Sequence, residues 1–186
     1  MHQTTGLVLL IASLWGQASS PATKAAQPAE APKSPADNRV TTLGGFTVDY
    51  PKKDWQALVG AGSALIVFAH KTREATVAIE RTKVEHPLAL NEITDQTATL
   101  ESEDWLTRRP QATGFSHQML DWAGRRYIVI DFSQPGPQGP EHVRMYTMPS
   151  GSDWFRVVCT TTAASFDRYK DPCQRIALSL TPTPGP

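Results

Sequence analysis

The sequence predicts an α+β domain: an antiparallel β-sheet with helices on its faces. Short runs that alternate apolar and polar residues are separated by glycine- and proline-rich turns, the pattern of half-buried strands joined by hairpins. The spacing changes to the helical one only around residues 88–104 and 171–180. The resulting order is strands, one helix, four strands and a last helix, the order expected of an α+β domain with an antiparallel sheet.

The chain begins with an apolar run at residues 7–15 (LVLLIASLW), followed by Gly16, Gln17 and Ala18. Small residues stand where signal peptidase reads them if cleavage follows Ala18, and the run is too short to span a bilayer. His2 is the one side chain before the run that can carry positive charge, and no cysteine follows it to take a lipid anchor. Residues 1–18 are therefore expected to be an export signal, which places the mature protein in a secreted or periplasmic location. Residues 19–39 are rich in alanine and proline without hydrophobic period, so they bury too little apolar surface to offset their conformational entropy and are expected to act as an extended tether. Residues 40–182 form the expected domain, large enough for a single core, and 183–186 a disordered tail. With 18 basic and 18 acidic side chains and no basic run, the electrostatic footprint of a nucleic-acid binder is missing.

Within the domain, residues 44–51 (GGFTVDYP) read as a strand with Phe46, Val48 and Tyr50 on one face, ended by Pro51, with Trp55 in the turn that follows. Residues 64–70 (ALIVFAH) are apolar on both faces and read as a central strand, with 76–82 (TVAIERT) its antiparallel partner. A helix over 88–104 carries the stripe Leu90, Ile93, Thr97 and Leu100, with Trp105 and Leu106 off it. Strands at 115–122 and 125–132 are joined by Ala123-Gly124, whose glycine tolerates the positive φ of a tight hairpin. The loop SQPGPQGP leads to a strand at 141–148, and Pro149-Ser150-Gly151-Ser152 turns into the last strand. There Phe155, Val157 and Cys159 share one face, and Trp154, Arg156 and Val158 the other. Asp171 as N-cap and Pro172 at the first helical position open the final helix, whose stripe is Cys173, Ile176, Ala177 and Leu180. The strand and helix stripes face each other, so export and an even cysteine count predict a structural disulfide between Cys159 and Cys173; the alternative is a pair of buried thiols.

Phe46-x-Val48-x-Tyr50-Pro51 with Trp55, the hairpin at Gly124, and Phe155…Cys159, Phe166-x-x-Tyr169 and Ile176-x-x-Ser179-Leu180 resemble the opening, middle and close of PsbP-like proteins. The resemblance spans nearly the whole domain. It implies an α/β/α sandwich shared by the extrinsic PsbP subunit of photosystem II, a Ran-binding nuclear import factor and many exported bacterial proteins. Their characterised members bind other proteins, and no catalytic motif comes with the resemblance.

Gly60-Ala61-Gly62-Ser63 precedes a strand and lacks a third glycine, so it reads as a loop and not as a nucleotide fingerprint. The sequence carries no GxSxG, HExxH, CxxC or P-loop, and its histidines show no ligand spacing, so neither cofactor nor metal is expected. One polar row merits a test. Across the hairpin, Ser116 pairs with Asp131, and a simple following loop places His142 opposite Asp131. A hydroxyl, a carboxylate and an imidazole would then share a face, but with the carboxylate in the middle, where nucleophilic catalysis needs the imidazole; a solvated polar row is the favoured reading. Trp105, Trp122, Tyr127, Tyr146 and Trp154 could form a binding surface, and packing in or at the core is favoured for them. The expected function is a non-enzymatic binding or assembly module acting on an envelope protein. The alternatives are a small-molecule or lipid binder, favoured by a large apolar pocket between helix and sheet, and an unrecognised hydrolase, favoured by a buried triad with histidine central.

Overall fold

The computed structural model describes residues 37–42, 45–60 and 62–183. The expected signal peptide, residues 19–36 of the expected tether and residues 184–186 lie outside them, whereas residues 37–39, also read as tether, begin the first strand. The elements run β1 (Asp37–Thr42), β2 (Phe46–Pro51), β3 (Trp55–Val59), β4 (Ala64–His70), β5 (Ala75–Lys83), α1 (Asp95–Arg108), β6 (Thr113–Trp122), β7 (Arg125–Gly136), β8 (Gly139–Ser150), β9 (Asp153–Thr162), α2 (Phe166–Ser179) and β10 (Thr181–Pro182). Seven strands form one antiparallel sheet in the order β3-β4-β5-β9-β8-β7-β6, and β1-β2-β10 form a second, smaller one.

Side-chain alternation along β7 assigns the helices to opposite faces. Tyr127 and Val129 belong to the core that contains Cys173, Ile176 and Ala177 of α2, whereas Ile128, Ile130 and Phe132 belong to the core that contains Ala98 and Trp105 of α1. The small sheet lies on the α2 side, where Phe46 meets Phe155 edge-to-face at 5.7 Å and Tyr50 packs on Phe68 at 4.8 Å. The antiparallel sheet, the α/β/α layering and the buried α2 stripe thus agree with the sequence. So does the β6–β7 turn, where Ala123 and Gly124 take φ of 49° and 73°, the two positive values a twisted two-residue hairpin needs.

Five local expectations are corrected. Trp55 does not sit in a turn; it is the buried first residue of β3, 2 % exposed. The helical stripe is rotated. Ala98, Glu101, Ser102 and Trp105 face the sheet, while Leu90 and Leu100 stay exposed, because β9 offers α1 an arginine there instead of an apolar side chain. Arg156 Nε donates to Glu101 Oε1 at 3.0 Å and Trp105 Nε1 donates to the same oxygen at 3.1 Å, so hydrogen bonding to a buried charge sets the helix's rotation where apolar spacing does not. α2 begins at Phe166, with Pro172 inside it. The earlier start buries Tyr169 and lets Phe166 pack on His142, which outweighs the hydrogen bond that Pro172 cannot make to the Arg168 carbonyl.

The SQPGPQGP stretch is not a loop. β7 and β8 continue to Pro135↔Pro140 and Gly136↔Gly139 as a two-stranded ribbon beyond β6 and β9, where a proline's missing N–H can face solvent. Finally, β4 is apolar on both faces but covered on one. Ile66 and Phe68 are buried on the α2 side, while Leu65 is 40 % exposed on the other, because α1 packs over β6 and β7.

Candidate functional site

The Cys159 and Cys173 sulfurs are bonded at 2.02 Å, joining β9 to α2 as expected. The polar row forms only in part. Ser116 does pair with Asp131 across β6–β7, but the longer ribbon shifts the next register by two, so Arg144 stands opposite Asp131 and His142 opposite Ser133. Arg144 grips Asp131 with two bonds, Nε to Oδ1 at 2.8 Å and Nη2 to Oδ2 at 3.1 Å, and His142 Nε2 lies 3.0 Å from Oδ1. Burial lowers the Arg144 pKa, yet the hydrogen bond and charge of Asp131 raise it by more. The carboxylate is central and taken up by the two Arg144 bonds, and the imidazole lies against it instead of Ser116, so no hydroxyl is activated here. Trp105, Tyr127 and Tyr146 are buried, and Trp122 and Trp154 half-buried, as expected of packing residues.

Two features that the sequence did not disclose lie side by side at the β3 end of the large sheet. The first is a cleft of about 360 Å³ between α2 and the β3–β4 strands, walled by Trp55, His70, Tyr169 and Pro172, with exposed Arg168 and Arg175 also lining it. Its three rings touch one another: His70 lies 4.7 Å from Tyr169 and 5.3 Å from Trp55, and Trp55 is 6.3 Å from Tyr169, centroid to centroid. The Tyr169 hydroxyl donates to Glu74 Oε2 at 2.9 Å and lies 3.0 Å from Thr72 Oγ1 and 3.3 Å from His70 Nδ1. The Tyr169 and Thr72 hydroxyls hold the Glu74 carboxyl below its usual range, with the nearby Arg168 charge adding to them against burial. Glu74 is therefore an ionised anchor for Tyr169 and Arg168 and cannot act as a proton donor near neutral pH. Arg175 has no side-chain partner among the described residues, so the cleft presents an aromatic wall beside an unpaired cation.

The second feature is the sheet edge itself. Among the described residues β3 pairs only with β4. The Lys71 N–H bonds to the Asp54 carbonyl at 3.0 Å, which fixes the phase of the ladder. Bonded and non-bonded pairs alternate in an antiparallel ladder, so in the register Trp55↔His70 the backbone N–H and C=O groups of Trp55, Ala57 and Val59 point away from β4. Leu58, Val59 and Leu65 stand at this edge 42, 95 and 40 % exposed. Among the described residues no group of three or more acidic, histidine or cysteine side chains is placed to hold a metal ion. No helix among them is long and apolar enough to cross a membrane.

No family profile matches the sequence, and no curated protein does. Solved structures do match. Cyanobacterial PsbP (CyanoP) of Synechocystis superposes with a TM-score of 0.60 at 12 % identity, over 84 % of this chain and 98 % of that one. LpqN of Mycobacterium tuberculosis, described as involved in cell envelope biogenesis, gives 0.55 at 14 % identity over 80 % and 91 %. A Bacteroides thetaiotaomicron protein gives 0.55 at 10 % identity, over 77 % of this chain and 47 % of that longer one. With its antiparallel sheet between α1 and α2 and these neighbours in structure, the chain has the PsbP-like fold.

Proposed function

We propose that the chain is an exported, non-catalytic binding module acting on a protein partner in the cell envelope. The observation that carries this reading is the gathering of Leu58, Val59 and Leu65, 42, 95 and 40 % exposed, at one edge of the sheet. Exposed apolar side chains scattered singly need no explanation, but three together at a sheet edge are surface suited to a partner. The Cys159–Cys173 bridge is at home in an oxidising compartment, which supports export. LpqN's work in the cell envelope is a context consistent with the same reading. The cleft favours a second reading, a small-molecule binder, since about 360 Å³ is at the lower end of ligand-pocket sizes.

The test is site-specific photo-crosslinking in living cells, with benzoylphenylalanine at Leu58, Leu65 and, as a control on the outer face of α1, Glu103. A discrete adduct with an envelope protein from Leu58 or Leu65 and none from Glu103 supports the proposal. Adducts from Glu103 alone, or none from any position, reject it. Small molecules retained by the purified native protein and lost in Trp55→Ala would put the second reading in its place.

A further inference from the structure

The β3 edge and the adjoining cleft have a chemistry that specifies how a partner is held. The edge strand WQALV contains no charge, no proline and no bulge, so of the devices that keep sheet edges from pairing it has only its short length. The opposite edge, β6, has an irregularity and a charge: its register shifts between Thr113 and Ser116, Gly114 takes a φ of 67°, and Asp121 accepts from Arg126 at 2.7 Å. At the β3 edge, Trp55, Ala57 and Val59 aim main-chain donors and acceptors outward, and no backbone group from the described residues meets them.

Trp55 belongs to both features, opening β3 and lining the cleft. Charge differs between the two ends of the strand. At the Trp55 end, Lys52, Lys53 and Arg175 are exposed with no carboxylate partner among the described residues, and Asp54 is the carboxylate that lines the cleft there. At the Val59 end stands Glu80, which accepts from Ser63 at 2.6 Å. Antiparallel addition brings the C-terminal end of an incoming strand to the Trp55 end, where the net charge is positive.

We propose that β3 is a strand-addition site for an extended segment of the partner protein, antiparallel to β3, uncharged along its length and acidic at its C-terminal end. Main-chain bonds to Trp55, Ala57 and Val59 hold the segment. Leu58 and Val59 receive its alternate side chains, and Arg175 with Lys53 meets the acidic end. This inference rests on the binding reading above and names the surface and chemistry through which that binding occurs.

The probe is the amidated peptide Ac-Ser-Val-Thr-Val-Ser-Glu-Glu-NH2, compared with its twin ending in Lys-Lys, against the full chain. Hydrogen exchange should slow at the Ala57 and Val59 amides when the acidic peptide is added, and the Lys-Lys peptide should bind about tenfold more weakly at low salt. Ala57→Pro removes only an outward N–H and leaves the β3–β4 ladder intact. It should keep the thermal midpoint and weaken peptide binding by about tenfold, the worth of one hydrogen bond plus the steric block. Arg175→Glu should abolish the preference for the acidic peptide. Absence of protection at Ala57 and Val59, or equal binding by wild type and folded Ala57→Pro, overturns the inference; if Ala57→Pro misfolds, the exchange pattern of the wild-type protein decides alone. An envelope adduct from Leu58 that survives Ala57→Pro would refute strand addition while leaving the binding reading standing, whereas no adduct from the wild-type protein would refute the binding reading.

Discussion

Replacing Glu101 by leucine should be among the most damaging single changes in the domain. The Glu101 and Arg156 side chains are 9 and 11 % exposed, and their ion pair joins α1 to the middle of the sheet. Leucine leaves the Arg156 guanidinium without its counter-ion and Trp105 Nε1 without its acceptor, while Arg156 retains the Thr82 hydroxyl at 3.0 Å and the Trp105 ring 5.8 Å from its guanidinium carbon. Breaking a buried pair from one side typically costs about 3–5 kcal/mol. For a domain of this size that lowers the melting temperature by roughly 10–15 °C. The double change Glu101→Leu with Arg156→Met removes both charges and should recover most of the loss, because desolvating the pair costs about as much as its attraction returns. Urea unfolding of the four members of the cycle measures this, with the midpoint moving and the slope unchanged. A single-mutant loss under about 1 kcal/mol, or no recovery in the double mutant, would show that the pair behaves as a solvated surface bridge and does not fix the rotation of α1.

Serine at both Cys159 and Cys173 should lower stability by about 3 kcal/mol, the chain-entropy value for a loop of their separation, 14 residues, with the unfolding midpoints of the variant and the oxidised wild type, both without reductant, as the measure. Burial pushes the Tyr146 phenol up to about 12, against the opposing pull of the Arg144 charge. Its folded pKa is raised, so its contribution is complete below about pH 10 and is lost as pH climbs toward 12; Tyr146→Phe should flatten the alkaline fall in stability, and ultraviolet titration should show a phenol ionising late. Glu74 works in the opposite sense. Its folded pKa is lowered, so its contribution is present above the unfolded value near about 4.3 and is lost as pH falls below it; thermal melts of Glu74→Gln should depend less on pH in that acid range. Ser116→Ala should leave stability and the cellular role unchanged. Asp131→Asn should cost about 2 kcal/mol by unpairing Arg144, again without loss of role in the protein that folds; loss of role in a folded, abundant Ser116→Ala protein would revive the hydrolase reading.

The parts of this fold that could be read from the sequence are those in which one local rule acts alone. Phe46, Val48 and Tyr50 alternate and are all buried, the α2 stripe is buried from Cys173 to Leu180, and Ala123-Gly124 makes the hairpin that its glycine announces. The errors fall where a distant partner overrides the local rule. Glu101 faces inward because Arg156 lies 55 residues away in sequence and waits on the sheet, a pairing no periodicity can show. Pro172 reads as a first-turn proline, yet the burial of Tyr169 carries the helix through it. Trp55 reads as part of a turn because its strand is five residues long and lacks a full alternation. That miss concealed both halves of the candidate site, since the edge begins at Trp55 and the cleft is built on it. The charged lining of the cleft was equally hidden, because Arg168 and Arg175 approach Trp55 only once α2 has docked.

The size of the bare edge bears on why a cleft should stand next to it. Three outward residues can exchange six main-chain hydrogen bonds with an added strand, and at about 0.5–1.5 kcal/mol net for each the edge supplies roughly 3–9 kcal/mol. Association costs roughly 4–15 kcal/mol in lost translational and rotational freedom, so hydrogen bonding along β3 alone does little more than offset that cost and leaves little net affinity. A strand of five residues is in this respect a safe edge: too short to recruit arbitrary chains, which protects an exposed, uncharged strand from aggregating. Productive docking then needs a second contribution that only the right partner makes, and the aromatic cleft with its unpaired Arg175 is placed to give it at one end. Lengthening the edge without touching the cleft separates these two terms. Gly60→Val is excluded, since a side chain there would meet the Ala64 carbonyl at 2.0 Å, but the exposed Gln56 can be made valine to strengthen pairing along β3. If the cleft supplies selectivity, Gln56→Val should tighten the acidic and the basic peptide by the same factor, as measured by titration calorimetry, and leave their ratio unchanged. A ratio that moves toward one would place the selectivity in the strand itself and leave the cleft without a part in binding.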